Sequence, residues 1–180
     1  MSPVVAIESY RSEDPKAKRF PFRPVNPREM SQEQTAMLWE KISAEVDLLC
    51  DATLRDPTPF FNDIMTGAIH LFSVGDWDGV LWIYHVTKGG AGTVNLMIWN
   101  PISLRRKVGP WKEAARDGLK WLMDIYKLNK LRGYIGTRNT RSWKLAKALG
   151  WKREGRLRQE ALRDGRWRDV YAYGILREEL

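Results

Sequence analysis

Leu149-Gly150-Trp151-Lys152-Arg153-Glu154-Gly155-Arg156-Leu157-Arg158, followed by Arg163-Asp164-Gly165-Arg166-Trp167-Arg168-Asp169-Val170, is the stretch on which the fold turns. Trp151–Leu157 and Trp167–Leu176 read as two strands, and Asp164-Gly165 supplies the backbone angles of a tight hairpin between them. Gly150 has the position of a left-handed cap that closes a helix from about Ser142 to Leu149. Asn139 or Thr140 is placed to cap that helix at its start. Just before it, Lys130–Thr137 reads as a strand. The carboxyl-terminal fifty residues therefore read as strand, short helix and charged hairpin with an aromatic face.

Upstream, Pro110 to about Leu128 reads as a long helix. Proline suits its first position, where a missing N–H breaks no intrahelical bond. Trp111, Ala115, Leu119, Leu122 and Tyr126 form its apolar stripe. From Ala68 to Trp99 the apolar period is two, which predicts strands at Ile69–Val74, Val80–Thr87 and Thr93–Trp99. Gly75-Asp76-Trp77-Asp78-Gly79 and Lys88-Gly89-Gly90-Ala91-Gly92 have turn composition, so the three strands form an antiparallel meander. Ser31-Gln32-Glu33-Gln34 matches a capping box. The helix behind it is expected to reach about Leu54, with Leu38, Ile42, Val46 and Leu49 on one face. Asp56-Pro57-Thr58-Pro59 breaks it, and Phe60–Thr66 reads as a second short helix. Residues 1–28, with prolines at 3, 15, 21, 24 and 27, read as an arm. A first strand is expected at Val4–Ile7 or around Phe20–Val25.

This order predicts an α/β domain over residues 29–180, a mixed, largely antiparallel sheet with helices on both faces. The unit around Pro110–Leu128 supplies one parallel strand pair. At 180 residues, 43% hydrophobic and 29% charged, the chain has the composition of one globular domain. No apolar run reaches the roughly 18 residues of a membrane span, and Met1–Phe22 lacks a signal-peptide core. One cysteine, Cys50, and two histidines argue against a disulfide framework or a metal centre. A reducing, cytoplasmic setting is expected. The net charge of +8 is confined to residues 130–180, which hold 14 Lys/Arg and 6 Asp/Glu. That points to a polyanionic partner or a phosphate-bearing ligand; the plainer reading is a solvated surface.

Two motifs carry candidate chemistry. Arg105-Arg106-Lys107-Val108-Gly109-Pro110 leads from a strand into the long helix. Free N–H groups at a helix start, the helix dipole and three cations suit an anion. The plain alternative is a glycine cap preceded by solvated charges. Asn139-Thr140-Arg141-Ser142 opens the short helix directly after a strand, at the sheet's carboxyl edge. Its plain alternative is an ordinary asparagine cap.

Taken together, Trp99–Leu180 resembles the GCN5-related N-acetyltransferase (GNAT) superfamily, and within it the RimJ/RimL-type branch that acetylates ribosomal-protein N-termini. The matching residues are Arg106-Lys107-Val108-Gly109, Asn139 with Ser142, Gly150-Trp151-Lys152-Arg153-Glu154-Gly155-Arg156-Leu157-Arg158, and Asp164-Gly165. The resemblance implies the superfamily's α/β sandwich and acetyl-CoA as co-substrate, wedged where two central strands splay. It implies pyrophosphate on Arg105, Arg106, Lys107, Val108, Gly109 and Trp111, and pantetheine beside Leu96 and Ile98. Asn139 and Ser142 would face the thiol end, with acetyl passing directly to an amine. Thr93–Trp99 lacks the glutamate that many members use as base, and no tyrosine follows Asn139 in the short helix. The chemistry still needs a base and a proton donor. Ser142 is the donor candidate, and the base candidates are His85 on the strand Val80–Thr87, or Glu154 or Glu160 through water.

Nine tryptophans are a high number, and Trp143, Trp151 and Trp167 lie among arginines and lysines. Arginine interleaved with aromatics suits nucleic acid or a ribonucleoprotein; the plain alternative is core tryptophans under a basic surface. Two function classes follow. The first is an acetyl-CoA-dependent N-acetyltransferase acting on a protein N-terminus, a small amine or a nucleic-acid-associated substrate. The second is a catalytically inactive domain of the same fold that binds nucleic acid or serves an assembly.

Overall fold

The computed structural model describes residues 22–44, 56–101, 111–163 and 165–180. Its strands are β1 (Phe22–Pro24), β2 (His70–Val74), β3 (Gly79–Tyr84), β4 (Ala91–Ile98), β5 (Lys130–Gly136), β6 (Lys152–Arg163) and β7 (Arg166–Leu176). Its α-helices are α1 (Gln32–Ala44), α2 (Pro57–Thr66), α3 (Trp111–Tyr126) and α4 (Thr140–Ala148). The seven strands form one sheet in the order β1-β2-β3-β4-β5-β7-β6. Every pairing is antiparallel except β4 with β5. That parallel pair flanks the crossover helix α3, as a strand–helix–strand unit requires.

Strand alternation divides the core. Phe72, Val74, Leu81, Ile83 and Val94 point to one face and pack with Ala115, Leu119 and Leu122 of α3 and with Ala146 and Leu149 at α4. Leu71, Val80 and Trp82 point to the other and pack with Leu38 and Ile42 of α1 and Phe60 and Ile64 of α2. Successive side chains of a strand leave opposite faces, so helices cover both sides of the sheet.

Local signals explain the helix starts. Ser31 Oγ accepts the Gln34 N–H at 3.1 Å, and the Ser31 N–H donates to Gln34 Oε1 at 2.9 Å, which closes the capping box. The second helix, expected from Phe60, starts at Pro57 instead, so Asp56-Pro57-Thr58-Pro59 forms its cap and first turn. Asp56 Oδ1 accepts the Thr58 N–H at 2.8 Å, and both prolines sit in the first turn, where no intrahelical donor is needed. The end of the first helix, including Val46 and Leu49, lies outside the described residues, as do Val4–Ile7 and the Ile102–Gly109 loop. The first strand forms at Phe22–Pro24, within the second of the two expected places.

Both hairpin strands run further than the sequence suggests. β6 reaches Arg163, paired with Arg166. Its length is absorbed by irregularities between Arg153 and Gly155 and between Leu157 and Ala161. Asp169 holds the second, accepting the Gln159 N–H at 2.9 Å and Arg156 Nε at 2.7 Å. These contacts depress the Asp169 carboxyl below its ordinary range, the Gln159 N–H first and Arg156 second. An edge strand that is bulged and densely charged is protected against pairing with another chain.

Gly118 of α3 lies where β1 docks. A Cβ there would meet two ring carbons of Phe22 at 2.6 Å. Gly118→Ala is therefore expected to destabilise by about 1–3 kcal/mol through overpacking, against the roughly 1 kcal/mol gain in helix propensity. Chemical denaturation would show a lower midpoint; a raised midpoint would contradict the docking of β1 on this glycine.

Candidate active site

β4 and β5 pair only at Ala91–Lys130, Gly92–Leu131 and Thr93–Arg132. Beyond Thr93, β4 stays paired with β3 as far as Ile98–Gly79, and β5 stays paired with β7 as far as Gly136–Val170. The two central strands thus keep their outer partners and lose each other. The far end of β4 is tied away from β5 by the β2–β3 turn. The N–H groups of Trp99 and Asn100 both donate to the Asp78 carbonyl at 3.0 Å. The Trp99 indole N–H donates to the Trp77 carbonyl at 2.7 Å.

Alternation shows which backbone groups face the gap. The Ala91 carbonyl accepts from Thr87, and the Trp99 N–H donates to Asp78, both on the β3 side. Odd-numbered residues of β4 therefore turn their N–H and C=O toward β3, and even-numbered ones toward β5. Past the last pair, Leu96 and Ile98 direct their backbone groups into the opening. An unpaired strand edge inside a fold is a template for an extended, amide-bearing ligand.

The opening is a cavity of about 470 Å³, within the usual size range of small-molecule sites. Val94–Trp99 form one wall and Gly133–Ile135 the other. Leu119 of α3 and Leu145 and Leu149 of α4 line the helix-covered side. Lys41 and Ala44 of α1 line it as well, from the opposite face of the sheet, so the cavity passes between the strands rather than lying on one side.

α4 brings in the polar groups. Asn139 caps the helix, its Oδ1 accepting the Ser142 N–H at 3.1 Å. That bond leaves the Asn139 amide NH₂ and the Ser142 hydroxyl as donors at the start of α4; Asn139, Arg141 and Ser142 all line the cavity. At the other end Gly150, with φ of 93°, makes a Schellman turn: its N–H donates to Lys147, and the Trp151 N–H donates to Ala146. The turn delivers Trp151 into the cavity wall. Arg116 of α3 fixes this end, donating to the Leu149 carbonyl at 2.7 Å and to the Glu179 carbonyl at 2.6 Å. A cation on the last carbonyls of a helix is also favoured by its dipole.

The structure brings Leu96, Ile98, Asn139 and Ser142 to one cavity. Trp111 is half-buried against the α3 side of the core and is not among the lining residues. Arg105, Arg106, Lys107, Val108 and Gly109 lie outside the described residues. None of the three base candidates, His85, Glu154 and Glu160, is among the lining residues. His85 is exposed just after β3, beside the end of β4 that is zipped to β5. Glu154 pairs with Lys130 at 2.6 Å, at the start of β5, again the closed end. Strand register, which no single segment of sequence shows, sets His85 and Glu154 at the closed end of the β4–β5 pair.

Among the lining residues that the sequence did not mark for the site are the aromatics Tyr134, Trp151 and Tyr173. Tyr173 pairs with Gly133 across β5 and β7. Burial pushes the Tyr173 phenol up, with nearby Arg153 opposing, so it stays a protonated donor at neutral pH.

No protein-family model matches the chain, and no curated protein matches it. Solved structures do. The ribosomal-protein-S5-alanine acetyltransferase of Vibrio fischeri aligns with a TM-score of 0.63 at 15% identity, covering 88% of this chain and 93% of that one. Spermidine N-acetyltransferase from Vibrio cholerae, solved in complex with CoA and spermine, aligns at 0.64 and 16% identity, covering 88% and 97%. A GNAT-family acetyltransferase from Bacillus anthracis aligns at 0.61 and 21%, covering 84% and 94%. The fold of this chain is that of the GCN5-related N-acetyltransferases. None of the described helices is long and apolar enough to cross a membrane.

Proposed function

We propose that the protein is an acetyl-CoA-dependent N-acetyltransferase that moves acetyl directly to an amine. One observation carries this reading: two central strands part after Thr93 and Arg132, with the backbone of Leu96 and Ile98 turned into the gap. The residues fit an acyl-thioester with an amide-bearing arm. Leu96 and Ile98 offer strand-like donors and acceptors to that arm. Asn139 and Ser142 offer polar groups from the start of α4, amid largely apolar walls. The segment Arg105–Gly109, with Trp111 at the start of α3, supplies the cations and helix start for the phosphates. The structurally similar enzymes are a ribosomal-protein-S5-alanine acetyltransferase and a spermidine N-acetyltransferase, which supports an amine acceptor here, whether a protein N-terminus or a small amine.

In the reaction the amine nitrogen bonds to the acetyl carbon, the carbon–sulfur bond breaks, and the thiolate takes a proton. An N–H on β4 facing the gap is placed to steady the developing oxyanion. Ser142 gives the thiolate its proton, with the neutral Tyr173 phenol as a second candidate donor on the lining. The amine's proton leaves to water through the open cavity.

Calorimetry with acetyl-CoA and with CoA tests the reading. Saturable binding of both is expected, and Ser142→Ala is expected to lower kcat by about a hundredfold with little change in CoA affinity. Absence of heat at millimolar ligand, with the protein folded, would overturn it in favour of a binding module built on the same fold.

A further inference from the structure

The β6–β7 hairpin reaches beyond the rest of the sheet. β7 pairs with β5 only as far as Val170–Gly136, whereas β6 and β7 stay together to Arg163–Arg166. The arm therefore projects past the carboxyl end of β5, the edge at which Asn139 opens α4 beside the cavity. At its tip Leu162 and Trp167 stand directly opposite each other, 42% and 59% exposed. By alternation from Tyr171 and Tyr173 they share the sheet face that α4 covers.

Cations lie along the arm and around the start of α4. Arg158 and Arg166 on the arm and Arg138, Arg141 and Lys144 around the start of α4 are exposed; Arg168 is half-buried beside them. Of the acids on β6 and β7 near the tip, Asp169 is engaged by Arg156 and the Gln159 N–H, so the described acids there are outnumbered by guanidinium groups.

We propose that the hairpin arm and the amino end of α4 bind single-stranded nucleic acid. Phosphates suit the guanidinium groups, and a base stacks on the exposed Trp167 indole with Leu162 beside it. Two other occupants fit less well. A second copy of the chain would bring like charges together. An acidic polypeptide would match the charge but offers few flat rings to the indole. The surface lies beside the cavity mouth and does not depend on the transferase reading.

The test uses the full chain and a labelled oligouridylate of about 12 nucleotides, followed by fluorescence anisotropy between roughly 50 and 200 mM salt. Binding is expected at low salt and is expected to weaken steeply as salt rises. Trp167→Ala is expected to lower affinity about 5- to 100-fold, the range of one lost stacking contact. Arg166→Ala with Arg168→Ala is expected to flatten the salt slope by about one to two. The substituted side chains lie outside the core, so thermal melts of the variants check that each is folded. No binding at low salt, affinity unchanged in folded Trp167→Ala, or displacement of the oligonucleotide by polyglutamate at equal charge would each overturn the proposal. CoA calorimetry on the same preparation reports separately on the transferase reading.

Discussion

Ser142→Trp is expected to lower CoA affinity by at least about a hundredfold, roughly 3 kcal/mol of binding, while the protein stays folded. The serine side chain lies at the start of α4 and lines the cavity between the parted strands. The cap that sets the helix uses the Ser142 backbone N–H, not its hydroxyl, so the substitution leaves the cap in place. An indole there takes the space a thioester arm needs, and the surrounding walls are built of backbone and packed side chains that do not retreat. Calorimetry for CoA and a thermal melt for the fold read the two effects apart. Full CoA affinity in Ser142→Trp would mean that the ligand lies somewhere other than this opening.

Trp82→Ala is expected to cost about 3–5 kcal/mol of stability, the range for an aromatic removed from a well-packed core. Trp82 is fully buried in the middle of β3, on the face covered by α1 and α2. Its ring meets Phe60 edge-on, with centroids 5.8 Å apart. Phe60 belongs to α2, so the loss is expected to loosen that helix together with the sheet. For a chain of this size the melting temperature is expected to fall by roughly 10 °C or more. A shift of only a degree or two would show that the α1–α2 layer contributes little to holding the fold.

The element order was legible because each element carried a local signal. The change of period near Ala68 marked the meander, Ser31 and Gln34 marked the start of α1, and Asn139 and Gly150 bracketed α4. The start of α2 was read three residues late because a proline pair reads equally well as a break between helices and as the first turn of the next. Only the Asp56 side chain, accepting the Thr58 N–H, decides between them. The site was legible in part. Asn139 and Ser142 stood out because they open a helix at a sheet edge. Tyr134 and Tyr173 did not, since each follows the apolar pattern of a core position, and Trp151 reads as part of the aromatic face of the hairpin. Their place on the cavity depends on where β4 and β5 stop pairing, which is a property of strand register and not of any one segment. The same ignorance of register made His85 and Glu154 look available, although both sit at the closed end.

Hydrogen exchange of the β4 amides, residue by residue, tests the parted strands most directly. In the free protein the amides of Asn95 and Met97, bonded toward β3, are expected to be strongly protected, and those of Leu96 and Ile98, turned into the gap, to exchange fast. Saturating CoA is expected to slow Leu96 and Ile98 alone among these four. Equal protection of all four in the free protein, or no change at Leu96 and Ile98 on adding CoA, would contradict the account.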